Sequence, residues 1–271
     1  MISQAMNLAG AAADPSVSGA RIGVDIGGTF TDIVLQLPDG TLHVSKVSTS
    51  PRSMETAVVD GMVALLDSVG VAPSAVREIV HGTTAGSNTI LQRTGARTGV
   101  LTTRGFRDVL EIGRIRTPRM FDLTWEKPEP LSPRRYRLEV DERIAADGSV
   151  VRPLDLEGVR AAGRTFMAEG VETVAICFIN SHVNADHERA ARALLEREFP
   201  ELVLTASYEV LPEIKEYERT STTVVNAYLL KEMRSYLDRL TGRLAAAGFR
   251  APLLVMSSAG GIMGADLASR K

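Results

Sequence analysis

The stretch that decides the fold of this 271-residue chain is VDIGGTFTD, at residues 24–32. The carboxylate of Asp25 closes an apolar strand, two glycines make a tight turn, and TDIVLQL (31–37) alternates like a second strand. The triplet Pro38-Asp39-Gly40 is a turn, because proline presets φ and glycine accepts a positive φ. LHVSKVS (42–48) then predicts a third strand, so the chain opens as an antiparallel meander.

The same stretch suits a polyphosphate ligand. Gly27 and Gly28 let backbone N–H groups approach phosphate oxygens, because no Cβ stands in the way. Thr29 and Thr31 would add hydroxyl donors, and Asp25 would hold Mg²⁺ through water, since that ion prefers oxygen ligands. An ordinary glycine hairpin, whose acidic side chains bond the turn backbone, explains the spacing equally well.

Several other classes are excluded. No G-x-x-x-x-G-K-[ST] run occurs, and the glycines open a hairpin rather than a helix, so the stretch is neither a P-loop nor a Rossmann fingerprint. A net charge of −2 argues against a general nucleic-acid binder. The lone Cys177 rules out an intrachain disulfide and a cysteine-rich zinc site. No apolar run approaches the roughly 20 residues of a membrane span, and no signal peptide is recognisable, so we expect a cytoplasmic protein.

The rest of the chain alternates between helical and strand patterns, which indicates an α/β fold with a mixed sheet. Predicted helices lie at 51–69 (beginning at Ser50-Pro51), 85–92, 106–112, 155–169, 186–198 and 221–247. Predicted strands lie at 78–82, 98–103, 173–180, 202–206 and 253–257, with a hairpin of Tyr136–Ile144 and Ser149–Val151 around Asp147-Gly148. Residues 116–135 hold four prolines without periodicity and predict an extended surface segment.

Clustered hydroxyls at a helix start give a second candidate site. HGTT (81–84) ends a strand, and AGSN (85–88) opens a helix, an arrangement that suits an anion or a polar substrate. His81 could equally form a plain hydrogen bond at the strand end. His182 and His187 are spaced for a metal, although a solvated helix start explains them better. Cys177 is expected to be a buried apolar residue rather than a nucleophile.

These segments together carry a family resemblance. The opening hairpin resembles the first phosphate-binding hairpin of the sugar kinase/Hsp70/actin ATPase superfamily. HGTT-AGSN with TTRGFRD (102–108) and EIGR (111–114), EYERTSTTVVNAY (216–228) and SSAGGIM (257–263) are similar to the hydantoinase A/oxoprolinase family, in the family's order. The resemblance implies an actin-like ATPase (ribonuclease H-like) lobe with a second lobe only begun. It divides the chain into a disordered leader (1–20), a hydantoinase/oxoprolinase N-terminal domain (21–205) and the start of a second domain (206–271).

The resemblance also implies ATP-dependent chemistry at a carbonyl. Members similar to 5-oxoprolinase and N-methylhydantoinase open cyclic amides, and others are subunits of acetone and acetophenone carboxylases. The implied cofactors are ATP and Mg²⁺, and the implied partners are a small cyclic amide or carbonyl substrate and a hydantoinase B-type subunit or domain. A carboxylase subunit, or a non-catalytic lobe that only binds a partner, stays open as an alternative, whereas a sugar kinase fits these motifs poorly.

Family roles are carried over residue by residue. The Mg²⁺ anchor is Asp25, and the phosphate cradle is Gly27, Gly28, Thr29 and Thr31. The substrate or cleft residues are His81, Thr83, Thr84 and Asn88, with Arg219, Thr220 and Ser221 at a helix start. Glu218 or Glu216 would serve as base, and the sequence does not choose between them. Family members continue past the glycine turn at 257–263 into a second phosphate segment, and none follows before Lys271. We therefore expect a fragment or one half of a split subunit, with little ATP turnover by these residues alone.

Overall fold

A computed structural model of the chain describes residues 19–49, 54–114, 121–122, 124–257 and 260–269. Most of the predicted leader and the predicted helix start at Ser50-Pro51 lie outside these ranges. The strands are β1 (Ala20–Ile26), β2 (Phe30–Gln36), β3 (Leu42–Ser48), β4 (Val76–Thr83), β5 (Thr98–Thr103), β6 (Arg137–Val140), β7 (Arg143–Ile144), β8 (Val150–Arg152), β9 (Thr173–Cys177), β10 (Val203–Ala206), β11 (Leu253–Met256) and β12 (Ile262–Gly264). The helices are α1 (Met54–Ser68), α2 (Ala85–Gln92), α3 (Val109–Ile112), α4 (Leu156–Ala168), α5 (Asp186–Glu198), α6 (Ser207–Val210), α7 (Glu216–Ala246) and α8 (Ala265–Ala268).

The described residues form two compact units, each with its own sheet. The first unit comprises residues 19–88 and 233–269, and the second comprises residues 89–232. The two boundaries fall inside α2 and α7. The units follow spatial contacts and not chain order, so they divide the chain differently from the predicted domains at 21–205 and 206–271, which stay a prediction.

The first unit is built on a six-stranded mixed sheet with the strand order β12-β11-β4-β1-β2-β3. The strands β1, β2 and β3 form the predicted antiparallel meander, and β4 and β11 run parallel to β1. This order and these directions confirm the predicted α/β class, with the ribonuclease H-like sheet of an actin-like ATPase lobe.

One face of this sheet is buried under α1 and the part of α7 that follows Met233. Val58, Met62 and Leu66 of α1 and Leu240 of α7 join the strand residues in one apolar core. Burying an aliphatic side chain of this size contributes about 1.5–3 kcal/mol to folding. Because side chains alternate along a strand, every second residue of β1 and β2 faces the opposite, exposed side of the sheet.

The second unit is a parallel four-stranded sheet with the order β10-β9-β5-β6. The helices α4 and α5 pack on one face, and Leu110 of α3 with Val224 and Ala227 of α7 pack on the other. A separate two-stranded hairpin joins β7 and β8. Within the described ranges, no helix combines the length and the apolar character that crossing a bilayer requires.

Several predicted elements are wrong in extent: α3 begins at Val109 rather than at 106, and β9 ends at Cys177 rather than at 180. The predicted strand Tyr136–Ile144 is split, because β6 pairs with β5 whereas β7 pairs with β8. The chain leaves the sheet between them, where Glu142 turns inward. The long helix begins at Glu216 rather than at 221. Its first turn is acidic, and acidic side chains stabilise a helix N-terminus. The prediction placed the start too late because it relied on the apolar seam, and the first turn contains no residue of that seam.

Candidate functional site

Three loops of the first unit emerge at one edge of its sheet. The strands β1, β4 and β11 are parallel neighbours, so the turn at 27–29, the start of α2 and Ser257 follow their carboxyl ends. Thr84 ties two of these loops together, because its N–H and its hydroxyl both donate to the Ile26 carbonyl, at 3.3 and 3.1 Å. Ligands of open α/β sheets bind at such an edge, so this is the candidate site.

The turn after β1 exposes backbone donors. The Gly27 N–H donates to the Phe30 carbonyl at 2.9 Å, and the Thr29 carbonyl accepts from the Thr49 N–H at 2.8 Å, which holds the turn in place. Within the described ranges the N–H groups of Gly28 and Thr29 donate to no protein acceptor. A Cβ built on Gly28 would meet no heavy atom within 4 Å, so the space above the turn is open. Two free amides on a tight turn form a small anion-binding concavity.

Asp25 lies beside this turn as an unpaired carboxylate. Its side chain is exposed and makes neither a hydrogen bond nor an ion pair with any residue that the structure describes. In the sheet register, Asp25 lies opposite Asp32 on one side and Gly82 on the other. A Cβ built on Gly82 would lie 3.2 Å from Asp25 Oδ1, so a glycine at 82 leaves this carboxylate its room. A free carboxylate next to free amides is a donor set that fits a hydrated Mg²⁺ with a polyphosphate.

Thr31 does not belong to the predicted phosphate cradle. It lies on the buried face of β2, with no exposed surface, and its hydroxyl pairs with that of Thr49 at 2.9 Å. Because side chains alternate along a strand, Asp32 lies on the exposed face of the sheet, next to Asp25. Lys46 Nζ donates to Asp32 Oδ1 at 2.8 Å. Neither Asp32 nor Lys46 was among the residues predicted for the site. The sequence does indicate that Thr31 is buried, because the apolar residues Ile33 and Leu35 follow it at every second position and so lie on the same face of the strand.

His81 is a core residue and does not face the open edge. It is 1% exposed, and the Tyr236 hydroxyl lies 2.8 Å from its Nε2. Burial lowers the pKa of His81 to about 4, and the backbone of Val24 opposes that shift only in part. The ring is therefore neutral at neutral pH. The structure favours the alternative of a plain structural hydrogen bond over the predicted substrate contact.

The other predicted residues of this segment organise the start of α2. The Thr83 hydroxyl accepts from the Ala85 N–H at 3.1 Å. Asn88 donates from its side chain to the Thr84 hydroxyl at 3.3 Å and from its backbone to the Thr84 carbonyl at 2.9 Å. These bonds place the amide-rich N-terminus of α2 at the same edge as the turn. Thr83, Thr84 and Asn88 are thus brought together with Asp25, Gly27, Gly28 and Thr29.

Glu218 lies in the second unit and is poorly suited to act as a base. Arg114 forms a bidentate ion pair with Glu218, in which Nε donates to Oε1 at 2.8 Å and Nη2 donates to Oε2. The Arg114 hydrogen bonds lower the pKa of Glu218 to about 2. A carboxylate with so low a pKa binds a proton weakly, whereas an effective general base has a pKa near the working pH.

Arg219 and Thr220 lie near the start of α7, as predicted, but their side chains are buried. Arg219 is 1% exposed and donates from Nη2 to the Phe178 carbonyl at 3.0 Å and from Nη1 to the Glu213 carbonyl at 2.6 Å. Thr220 is 7% exposed. Arg219 therefore ties the start of α7 to the end of β9, which is a structural task.

Two further predictions on the second unit have outcomes. His187 is buried rather than solvated, because its Nδ1 contacts Glu142 Oε2 at 2.7 Å. The described residues contain no cluster of three or more His, Cys, Asp or Glu side chains that could hold a metal ion. Cys177 is 2% exposed, and burial raises the pKa of its thiol, so it is confirmed as a buried apolar residue.

Known proteins resemble the chain over most of its length. An uncharacterised protein of Methanocaldococcus jannaschii, MJ0964, is 39% identical over 94% of this chain and 38% of its own length. Caprolactamase subunit alpha of Pseudomonas jessenii is 35% identical over 89% of this chain and 36% of its own length. The crystal structure of that ATP-dependent caprolactamase superimposes with a TM-score of 0.82 at 34% identity, covering 89% of this chain and 36% of that one.

A nucleotide-free structure of acetone carboxylase, from work on ATP-dependent acetone carboxylation, superimposes with a TM-score of 0.84 at 26% identity and covers 94% of this chain and 38% of that one. The chain thus spans less than two-fifths of the relatives it matches. Residues 21–199 match the family model described as the hydantoinase/oxoprolinase N-terminal region, and residues 219–271 match the one described as hydantoinase/oxoprolinase. The chain therefore belongs to the hydantoinase/oxoprolinase family.

Proposed function

We propose that this chain carries the phosphate-binding edge of an ATP-dependent hydrolase that opens cyclic amides of the hydantoin or 5-oxoproline type. The observation that carries the proposal is the unpaired Asp25 carboxylate beside the free amides of Gly28 and Thr29. A carboxylate and two amides that have no partner among the described residues, at the carboxyl ends of parallel strands, are the parts that a magnesium polyphosphate requires.

Each residue of the edge has a distinct task in this proposal. The amides of Gly28 and Thr29 would hold phosphate oxygens, and Asp25 would hold a water of the Mg²⁺ shell. Thr84 and Asn88 keep the N-terminus of α2 next to the turn. Bound Mg²⁺ supplies neutralisation of the phosphate charge. Phosphoryl transfer depends mainly on such positioning and charge neutralisation, which is what this edge offers.

The reaction itself activates a carbonyl oxygen. The oxygen of the cyclic amide would accept the terminal phosphoryl group of ATP, and ADP would leave. One water would then attack the activated carbon, and the ring C–N bond would break to give the free amine and an acyl phosphate. A second water would hydrolyse the acyl phosphate to the carboxylate and release phosphate. A relative named as a caprolactamase subunit supports the choice of a cyclic amide. That relative is a subunit by name, so we also propose that a hydantoinase B-type subunit or domain completes the enzyme.

A second candidate is the ATP-using subunit of a carboxylase that acts on a ketone. It is favoured by the TM-score of 0.84 with acetone carboxylase. Both candidates need the same phosphate edge, because both activate a carbonyl oxygen. A third candidate, a lobe that only binds a partner, predicts a folded chain that binds no nucleotide even when the partner is present.

Phosphate release from Mg·ATP by the complete enzyme tests the proposal. We expect hydantoin or 5-oxoproline to stimulate it, whereas stimulation only by acetone with bicarbonate would favour the carboxylase. Asp25→Asn should lower the stimulated rate by about 100-fold or more, the scale of losing one charge-stabilising group. Asp67→Asn is the matched control, because Asp67 is an exposed carboxylate on α1, outside the site. Retained turnover in Asp25→Asn would remove Asp25 from the metal role.

A further inference from the structure

We propose that Lys46 is a phosphate-binding residue of this edge and that Asp32 positions it. The inference rests on the proposed nucleotide site and adds to it a cation that the loop motifs do not contain. Lys46 comes from β3, two strands away from Asp25 in the sheet. Its place is set by the register of the meander, so the argument begins with that register.

A row of charged side chains crosses the exposed face next to the turn. Asp25 pairs with Asp32 across β1 and β2, and Asp32 pairs with Lys46 across β2 and β3. Directly opposite side chains on one face have Cβ atoms about 4.5–5.5 Å apart, and like charges in that position repel. Lys46 relieves the repulsion by bonding Asp32 at 2.8 Å, which leaves Asp25 free for another cation.

The Lys46 ammonium is held towards the turn. Its Nζ lies 5.5 Å from the centre of the Phe30 ring, and Phe30 is the first residue of β2 after the turn. A cation over an aromatic face is attracted to it, so the ring and Asp32 restrain the side chain from two directions. The Lys46 side chain is 57% exposed.

The ammonium retains donors for an anion. Of its three N–H donors, one is used by Asp32, and the ammonium bonds no other acceptor among the described residues. The amides of Gly28 and Thr29 likewise donate to no acceptor in the part of the chain that the structure describes. A diphosphate group on the turn would therefore find amide donors on one side and an ammonium on the other. Charge-assisted bonds of this kind are about twice as strong as neutral ones.

The competing explanation is an ordinary surface ion pair. Exposed pairs contribute about 0–1 kcal/mol to stability and have no reason to affect anion binding. The first unit offers a matched example, because Arg21 and Glu78 pair at 3.4 Å on the same face, further along β1 and β4. If Lys46 and Asp32 formed only such a surface ion pair, replacing Lys46 and replacing Arg21 would change the affinity for a phosphate ligand equally.

The test is isothermal titration of the full chain with magnesium pyrophosphate, which needs the edge but no adenosine pocket. We expect Lys46→Met to weaken binding about tenfold, the loss of one charge-assisted contact, and Lys46→Arg to keep it within about threefold. Arg21→Met, the control, should bind as the wild type does. The melting temperatures of all three variants are measured, and we expect them to lie close to that of the wild type.

Asp32 is tested through its partner. Asp32→Asn should weaken pyrophosphate about threefold in the wild type and not at all in the Lys46→Met background, because it acts by positioning Lys46. The inference is overturned if Lys46→Met binds as the wild type does, or if Arg21→Met loses as much affinity. If Asp25→Asn abolishes binding while Lys46→Met does not, the inference fails and the proposed function survives. A wild-type chain that binds neither magnesium pyrophosphate nor Mg·ATP overturns both.

Discussion

Acidification should destabilise the first unit through His81, because the fold holds this ring neutral. The ring is 1% exposed, and its Nε2 forms a hydrogen bond with the Tyr236 hydroxyl at 2.8 Å. Protonation puts an N–H donor on both ring nitrogens, so the Tyr236 hydroxyl can then only accept from Nε2. Burial also penalises the added charge and lowers the pKa of His81 to about 4 from its ordinary value of 6.5.

The sign and size of the effect follow from the two pKa values. Between pH 6.5 and 4 the unfolded chain binds a proton at His81 and the folded chain does not, so stability is present above this window and is lost as the pH falls through it. For a pKa that drops from 6.5 to about 4, the free energy of unfolding falls by about 2 kcal/mol between pH 7.5 and pH 5.

Urea unfolding at several pH values measures this change when the wild type is compared with His81→Gln. Glutamine does not titrate, and its amide oxygen can accept from the Tyr236 hydroxyl. The comparison cancels the contribution of every other titrating group to the pH dependence of stability. One such group is Glu188: burial raises its pKa, so its contribution to the stability of the folded state increases as the pH falls. We expect the wild type to lose about 2 kcal/mol more than the variant between pH 7.5 and 5. If the free energy of unfolding of the two proteins changed with pH in parallel, the reasoning would be refuted, because the pKa of His81 would then be the same in the folded and unfolded chains.

Two glycines give further tests. Gly82→Ala places a Cβ 3.2 Å from Asp25 Oδ1, so the carboxylate must shift; we expect magnesium pyrophosphate affinity to fall by about three- to tenfold with little change in melting temperature. Gly61→Ala places a Cβ 2.7 Å from Ile33 Cδ1 inside the core. Overpacking costs about 1–3 kcal/mol and helix propensity returns up to about 1, so urea unfolding should show a net loss of about 1 kcal/mol. A gain in stability would mean that α1 can move away from the sheet at no cost.

Local signals predicted most of the elements. The helices α2 and α5 were predicted at 85–92 and 186–198, the bounds that the structure shows. The meander was also predicted, because its strands alternate and its turns contain glycine or proline. The start of α7 was missed for the same local reason, since the prediction followed the apolar seam, whereas the helix begins in an acidic turn before that seam.

The candidate site was predicted in part. Asp25 and the glycine turn are where the motif places them, but Thr31 and His81 face the core. A motif names residue types in a row, whereas a strand separates neighbours onto two faces. Since side chains alternate between the two faces of a strand, the alternation along β2 and β4 would have placed Asp32 rather than Thr31, and Gly82 rather than His81, on the face that carries Asp25. This part of the site was therefore within reach of the sequence.

Other contacts were beyond the sequence, because they join residues that are far apart in the chain. Glu218 meets Arg114 across 104 positions, and that contact changes its chemistry from a candidate base to a strongly ionised carboxylate. Neither residue carries a local signal for the other. The choice between Glu216 and Glu218, left open by the sequence, therefore turns against Glu218 on grounds that only the tertiary structure supplies.

The proposed phosphate edge has a property that bears on the two candidate reactions. Asp25, Asp32, Lys46 and Gly82 lie on four neighbouring strands, and the turn at 27–29 joins two of them. Thr84 and Asn88 follow directly at the start of α2. Activation of a lactam oxygen and of a ketone oxygen make the same demand on such an edge, which is to hold a polyphosphate and neutralise its charge. Under the proposed function, one local meander can therefore serve either reaction. The choice between water and carbon as the attacking group must then be made by residues outside these four strands.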